Sequence, residues 1–102
     1  MNDKRNMVEK RASERKEVKQ STSILLEGKV IDGQVIDISA HGAKVHTENP
    51  IEPKSQVVLS IARFGDYKGE IVWCRNSDVG LKFTDDPAVI AELAYAMAIY
   101  GS

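Results

Sequence analysis

Between Ser23 and Thr84 the chain is a series of short apolar runs, several with a period of two. Val57, Leu59 and Ile61 alternate with Val58, Ser60 and Ala62, and Leu81 and Phe83 alternate with Lys82 and Thr84. Such alternation predicts strands with one buried face. The expected strands are Ser23–Leu26, Val30–Ile31, Val35–Ile38, Ala43–His46, Val57–Ala62, Glu70–Cys74 and Val79–Phe83. Asp32-Gly33, Asn49-Pro50, Glu52-Pro53, Gly65-Asp66 and Asn76-Ser77 supply turn chemistry between them. Short antiparallel strands in this number favour a small barrel, because closure removes exposed edges. After Thr84 the period lengthens. Ile90, Leu93, Met97 and Tyr100 fall at helical spacing, with Asp86 as cap, Pro87 in the first turn and Gly101 as terminator. The expected class is all-β with one C-terminal helix at about 87–100. Ala94, Ala96, Ala98 and Ile99 add apolar surface to that helix, so monomer and homodimer both stay open.

A chain of 102 residues makes one domain rather than two. Aromatics are 6% of residues against 42% apolar overall, so the core must be mainly aliphatic. No apolar run reaches the roughly 20 residues of a membrane-spanning helix, and Met1 to Lys10 lacks the apolar stretch of a signal peptide. The single cysteine, Cys74, excludes an internal disulfide and fits a reducing, cytoplasmic setting. Two His and one Cys are too few for a closed zinc site without carboxylates, so no metal or cofactor is expected. The net charge of −1 is unevenly placed: residues 1–20 hold seven basic and four acidic side chains, a net +3, which leaves −4 on the rest. With only Met7, Val8 and Val18 as sizeable apolar groups, 1–20 reads as a flexible basic segment, and 21–102 as the barrel with its helix.

Two clusters could carry chemistry. Arg11 and Arg15 are four apart, which puts both on one face of a helix or of an extended strand. Their guanidinium forks can each engage phosphate or guanine O6/N7 in bidentate fashion, although such pairs are also common on solvated helices. The second cluster is Asp37-Ile38-Ser39-Ala40-His41-Gly42. Asp37 and Ser39 share a strand face, Ile38 points to the core, and Gly42 permits a turn or a close approach. The plain alternative is an Asp and a Ser satisfying backbone groups at a turn. Asp37, Ser39 and His41 do not make a catalytic triad, because alternate residues on one strand stand about 7 Å apart. Trp73 reads as a core or rim residue before a stacking platform, and Cys74 as an inert thiol on the opposite strand face.

Taken together, Arg-x-x-x-Arg followed about twenty residues later by Asp-x-Ser-x-x-Gly resembles the PilZ domain family. Gly69–Cys74 (GEIVWC) and Asp78–Phe83 (DVGLKF) are similar to that family's final hairpin. The resemblance spans Lys10 to Asp85. It implies a six-stranded antiparallel barrel with a C-terminal helix that binds the bacterial second messenger cyclic di-GMP. It also implies ligand contacts from Arg11, Arg15, Asp37, Ser39 and Gly42, with secondary positions at Lys10, Ala40, His41 and Trp73. Lys10 precedes the first arginine, where the family's residue bears on whether one ligand or a stacked pair is bound. The charged Lys16-Glu17 departs from the apolar residues frequent after the second arginine.

The chemistry of the residues agrees with that implication. Cyclic di-GMP offers two phosphodiesters, guanine acceptors that suit arginine, and N1–H and N2–H₂ donors that suit the Asp37 carboxylate. The expected function is a cytoplasmic, non-catalytic receptor that relays cyclic di-GMP occupancy to an unidentified downstream protein by ordering its N-terminal segment. The alternative is a nucleotide-independent adaptor between proteins. RNA binding through the basic segment is disfavoured by the few aromatics and the acidic barrel, and neither DNA nor RNA is an expected partner.

Overall fold

The computed structural model describes residues 16–100. Six antiparallel strands form a closed barrel: β1 (Lys16–Leu26), β2 (Lys29–Ile38), β3 (Gly42–Thr47), β4 (Gln56–Ile61), β5 (Gly65–Arg75) and β6 (Asp78–Phe83). Their order around the barrel is β1-β2-β3-β6-β5-β4, and β1 closes the ring by pairing with β4. A helix, α1 (Pro87–Tyr100), follows and packs against β1.

The alternating runs fold as their pattern dictates. Val57, Leu59 and Ile61 point inward, as do Leu81 and Phe83, while Lys82 and Thr84 are exposed. They join Ile24, Val35, Ile38, Val45, Ile71 and Val79 in one aliphatic core. Full burial of such a side chain contributes about 1.5–3 kcal/mol. Asp86 caps α1 by accepting the Ala88 N–H at 2.9 Å, and Ile90, Leu93, Ala94 and Met97 face the barrel. Tyr100 does not extend that face: it is 70% exposed, and Ala94 lies in the buried stripe. Gly101 lies outside the described residues.

Three boundaries differ from the sequence reading. The barrel's first strand begins at Lys16, so residues 16–20, assigned to the basic segment, belong to the barrel, and Val18 is buried in its core. The runs around Val30 and Val35 form one strand. Their separator, Asp32-Gly33, is paired within β2 rather than turning, opposite Ser23 and Thr22 of β1. Gly33 serves close strand approach, since a Cβ there would lie 2.6 Å from the His46 carbonyl oxygen. The β1–β2 turn is instead Glu27-Gly28, with φ of 48° and 81°, the doubly positive geometry that matches strand twist in a two-residue hairpin. At the β4–β5 end, Ala62–Phe64 make the turn, so Gly65 and Asp66 already belong to β5.

Candidate functional site

Two irregularities build the site. Between Val35 and Asp37 the β2–β3 register shifts, so Ile36 is an extra residue. Strict alternation from buried Val35 would send Asp37 inward and Ile38 outward. The bulge reverses this, burying Ile38 and turning Asp37 to the outer surface. A second shift, between Ile71 and Trp73, does the same on β5: Ile71 is buried, Val72 is the extra residue, and Trp73 turns outward. Trp73 is therefore not a core residue. It remains 42% exposed and its indole lies over Gly80, where any Cβ would overlap the ring.

These bulges bring four residues into one row across four strands. Asp37 of β2 pairs with Lys44 of β3, Lys44 with Gly80 of β6, and Gly80 with Trp73 of β5. At about 4.8 Å between neighbouring strands, the backbone distance from Asp37 to Trp73 is about 14 Å. The missing side chain at Gly80 leaves space that the indole occupies. A surface groove of about 330 Å³ follows this row, and His41, Gly42 and Lys82 also line it. The next row outside carries His46 and Asp78, with His46 Nδ1 and Asp78 Oδ1 2.8 Å apart.

The loop before β3 is held by its own residues. Ser39 is buried, its N–H donates to the Gly42 carbonyl at 2.8 Å, and its hydroxyl oxygen accepts the His41 N–H at 3.3 Å. Ala40 is buried beside it. Gly42 is needed for close packing of strands, because a Cβ there would overlap the Leu81 carbonyl oxygen of β6. Thus Asp37, His41, Gly42 and Trp73 meet at the groove, whereas Ser39 and Ala40 support its rim from inside. Lys10, Arg11 and Arg15 lie outside the described residues.

Lys44 and Lys82 are charged groove residues that the sequence reading missed. Both occupy outward positions in runs whose alternation was legible: Lys44 follows buried Ala43, and Lys82 follows buried Leu81. Each faces a glycine across the strand pair, Lys44 opposite Gly80 and Lys82 opposite Gly42. With Asp37 they make a surface that can accept hydrogen bonds at one point and donate them at two others. Among the described residues, no group of three or more His, Cys, Asp or Glu side chains could hold a metal ion. No described helix is long and apolar enough to cross a membrane.

The chain matches the family model of the PilZ domain over residues 9–96. Among solved structures it is similar to the PilZ domain of CeSA from a cellulose-synthesizing bacterium. The sequence identity there is 16%, the TM-score 0.70, and the match covers 83% of this chain and 98% of that one. A search of curated proteins finds no match. A closed six-stranded antiparallel barrel, one C-terminal helix and a family match over most of the chain lead to one assignment: the chain belongs to the PilZ domain family.

Proposed function

We propose that this protein is a non-catalytic receptor for cyclic di-GMP, with the ligand seated in the groove along Asp37, Lys44, Gly80 and Trp73. The observation that carries this reading is the register of β1. Lys16 pairs with Ile38 and Glu17 with Asp37, so the strand that directly follows the arginine motif in sequence enters the barrel beside Asp37. Arg11 and Arg15 supply the guanidinium groups for the phosphodiesters and for guanine O6/N7. Asp37 accepts from guanine N1–H and N2–H₂, and Trp73 offers an indole for a base to stack on. Ser39 and Gly42 act on the ligand indirectly, by holding the loop and the β3–β6 spacing that present Asp37, His41 and Lys44.

Binding on this reading orders the segment ahead of Lys16. That segment is charged and poor in apolar groups, so an anionic ligand bridging it to the barrel offsets an ordering cost of about 1–2 kcal/mol per residue. The altered surface is what a downstream protein reads, in the cytoplasm and without a further cofactor. Titration calorimetry of the full chain with cyclic di-GMP, with GTP and a short RNA as controls, tests this reading. Saturable heat with cyclic di-GMP alone is the expected result. No binding by a folded protein would overturn it in favour of a nucleotide-independent adaptor.

A further inference from the structure

Lys44 has no part in the motifs that point to the ligand, yet it stands at the centre of the groove. It is half-buried on the outer face of β3, directly across from Asp37 on one side and Gly80 on the other. Directly opposed residues on antiparallel strands hold their Cβ atoms about 4.5–5.5 Å apart. The Asp37–Lys44 pair is thus a carboxylate acceptor and an ammonium donor, side by side, on the floor of one groove.

That pairing has a chemical complement. One edge of guanine presents N2–H₂ and N1–H as donors and O6 as an acceptor. A carboxylate takes the two donors, and a neighbouring cation donates to O6, which has two lone pairs and can serve an arginine as well. Adenine presents an amino group where guanine has O6 and an unprotonated N1, so the same pair would oppose donor to donor and acceptor to acceptor. We infer that Lys44 is a specificity-determining residue: with Asp37 it reads the guanine edge of the ligand, donating to O6. This rests on the cyclic di-GMP reading above. The nearby Gly80 matters for it too, because its missing side chain lets the Trp73 indole lie over the position directly across from Lys44.

The competing role for a lysine here is a phosphate contact, and an analogue cycle separates the two. The probes are cyclic di-GMP and its 6-thioguanine analogue, which keeps both phosphates and both guanine donors but has sulfur, a weaker acceptor, at position 6. Each is titrated into the parent chain, Lys44→Met and Lys44→Arg. A hydrogen bond to a charged group changes affinity roughly tenfold or more. The parent should therefore prefer the oxygen ligand by roughly tenfold or more, K44M should cut that preference clearly below the parent's, and K44R should restore it. If K44M weakens both ligands equally and keeps the preference, Lys44 serves the phosphates and the inference is wrong. It is equally wrong if K44M changes nothing. A parent chain that binds neither ligand overturns the receptor reading itself, a result distinct from both. Thermal melts of the two variants establish that each is folded.

Discussion

Replacing Gly42 by Ala adds one methyl group to a position with no room for it. The new Cβ would overlap the carbonyl oxygen of Leu81, which is backbone of β6 and cannot rotate aside as a side chain could. Strands β3 and β6 must part locally around the Gly42–Lys82 pair. Overpacking of this kind costs about 1–3 kcal/mol. The same displacement strains two neighbouring bonds, Ser39 N–H to the Gly42 carbonyl at 2.8 Å and Phe83 N–H to the His41 carbonyl at 3.1 Å, each worth about 1 kcal/mol. Even the low end of that total, about 3 kcal/mol, is a large part of the 5–15 kcal/mol typical of a domain. At about 4–8 °C per kcal/mol for a domain of this size, the melting midpoint should fall by roughly 12–24 °C. Circular dichroism measures the loss, and fluorescence of the single tryptophan, Trp73, reports the groove independently. Gly28→Ala is the control: its φ of 81° is unfavourable for Ala but nothing lies within 4 Å, so about 1 kcal/mol is expected. If G42A melted within about 4 °C of the parent and lost only cyclic di-GMP binding, Gly42 would be a ligand-approach residue and the packing argument would fail.

Other outcomes follow from the same geometry. Arg11→Ala and Arg15→Ala should each weaken cyclic di-GMP binding roughly tenfold or more in calorimetry, since a charged hydrogen bond contributes about 1.5–3 kcal/mol; two variants that bind like the parent would remove the arginines from the site. Asp37→Asn keeps the side chain's shape but sets a donor against guanine N–H groups, so affinity should fall at least tenfold while the melting midpoint stays within about 4 °C. A large stability loss with intact affinity would make Asp37 a structural residue. Amide hydrogen exchange should show residues ahead of Lys16 becoming protected when ligand is added; equal protection with and without ligand would refute ordering as the signal.

The legible parts of the fold are those where hydrophobic alternation runs unbroken, as in β4 and β6. β1 was harder to read because its inward positions are partly polar. Gln20 and Thr22 are buried, and each donates across to β4 or its turn, Thr22 Oγ1 to the Ser60 carbonyl at 2.6 Å and Gln20 Nε2 to the Ala62 carbonyl at 3.4 Å. A hydrophobic pattern cannot register a strand whose interior is satisfied by hydrogen bonds. Asp32-Gly33 misled for a related reason: glycine serves a turn or a close contact equally well, and only the position of β3 decides which. At the groove, the outward position of Asp37 beside buried Ile38 was readable from their polarity. Trp73 reads from sequence as a core or rim residue; a period of two from buried Ile71 would turn it inward, and the extra residue at Val72 turns it outward instead. Nothing in the sequence singles out Lys44 or Lys82; only pairing across strands sets each of them beside a glycine.

The two bulges therefore do more than interrupt their strands. Without the extra residue at Ile36, the carboxylate of Asp37 would point into an aliphatic core, where an unpaired charge is prohibitively costly. Without the one at Val72, the indole would have to fit inside a barrel already filled by Ile71, Leu81 and Val79. Each bulge turns one large or charged side chain outward and restores the inward phase one residue later, at Ile38 and Cys74. Because β2 and β5 flank the β3–β6 pair on opposite sides, both turned-out side chains land on the same stretch of outer surface. Gly80 sits between them and gives the indole its seat; Gly42 keeps β3 close enough to β6 for the row to be continuous. The Asp-x-Ser-x-x-Gly run thus divides its labour. Asp37 faces the groove, while Ser39 and Gly42 fix the backbone that presents it, so substitutions at these three positions should fail by different physical routes.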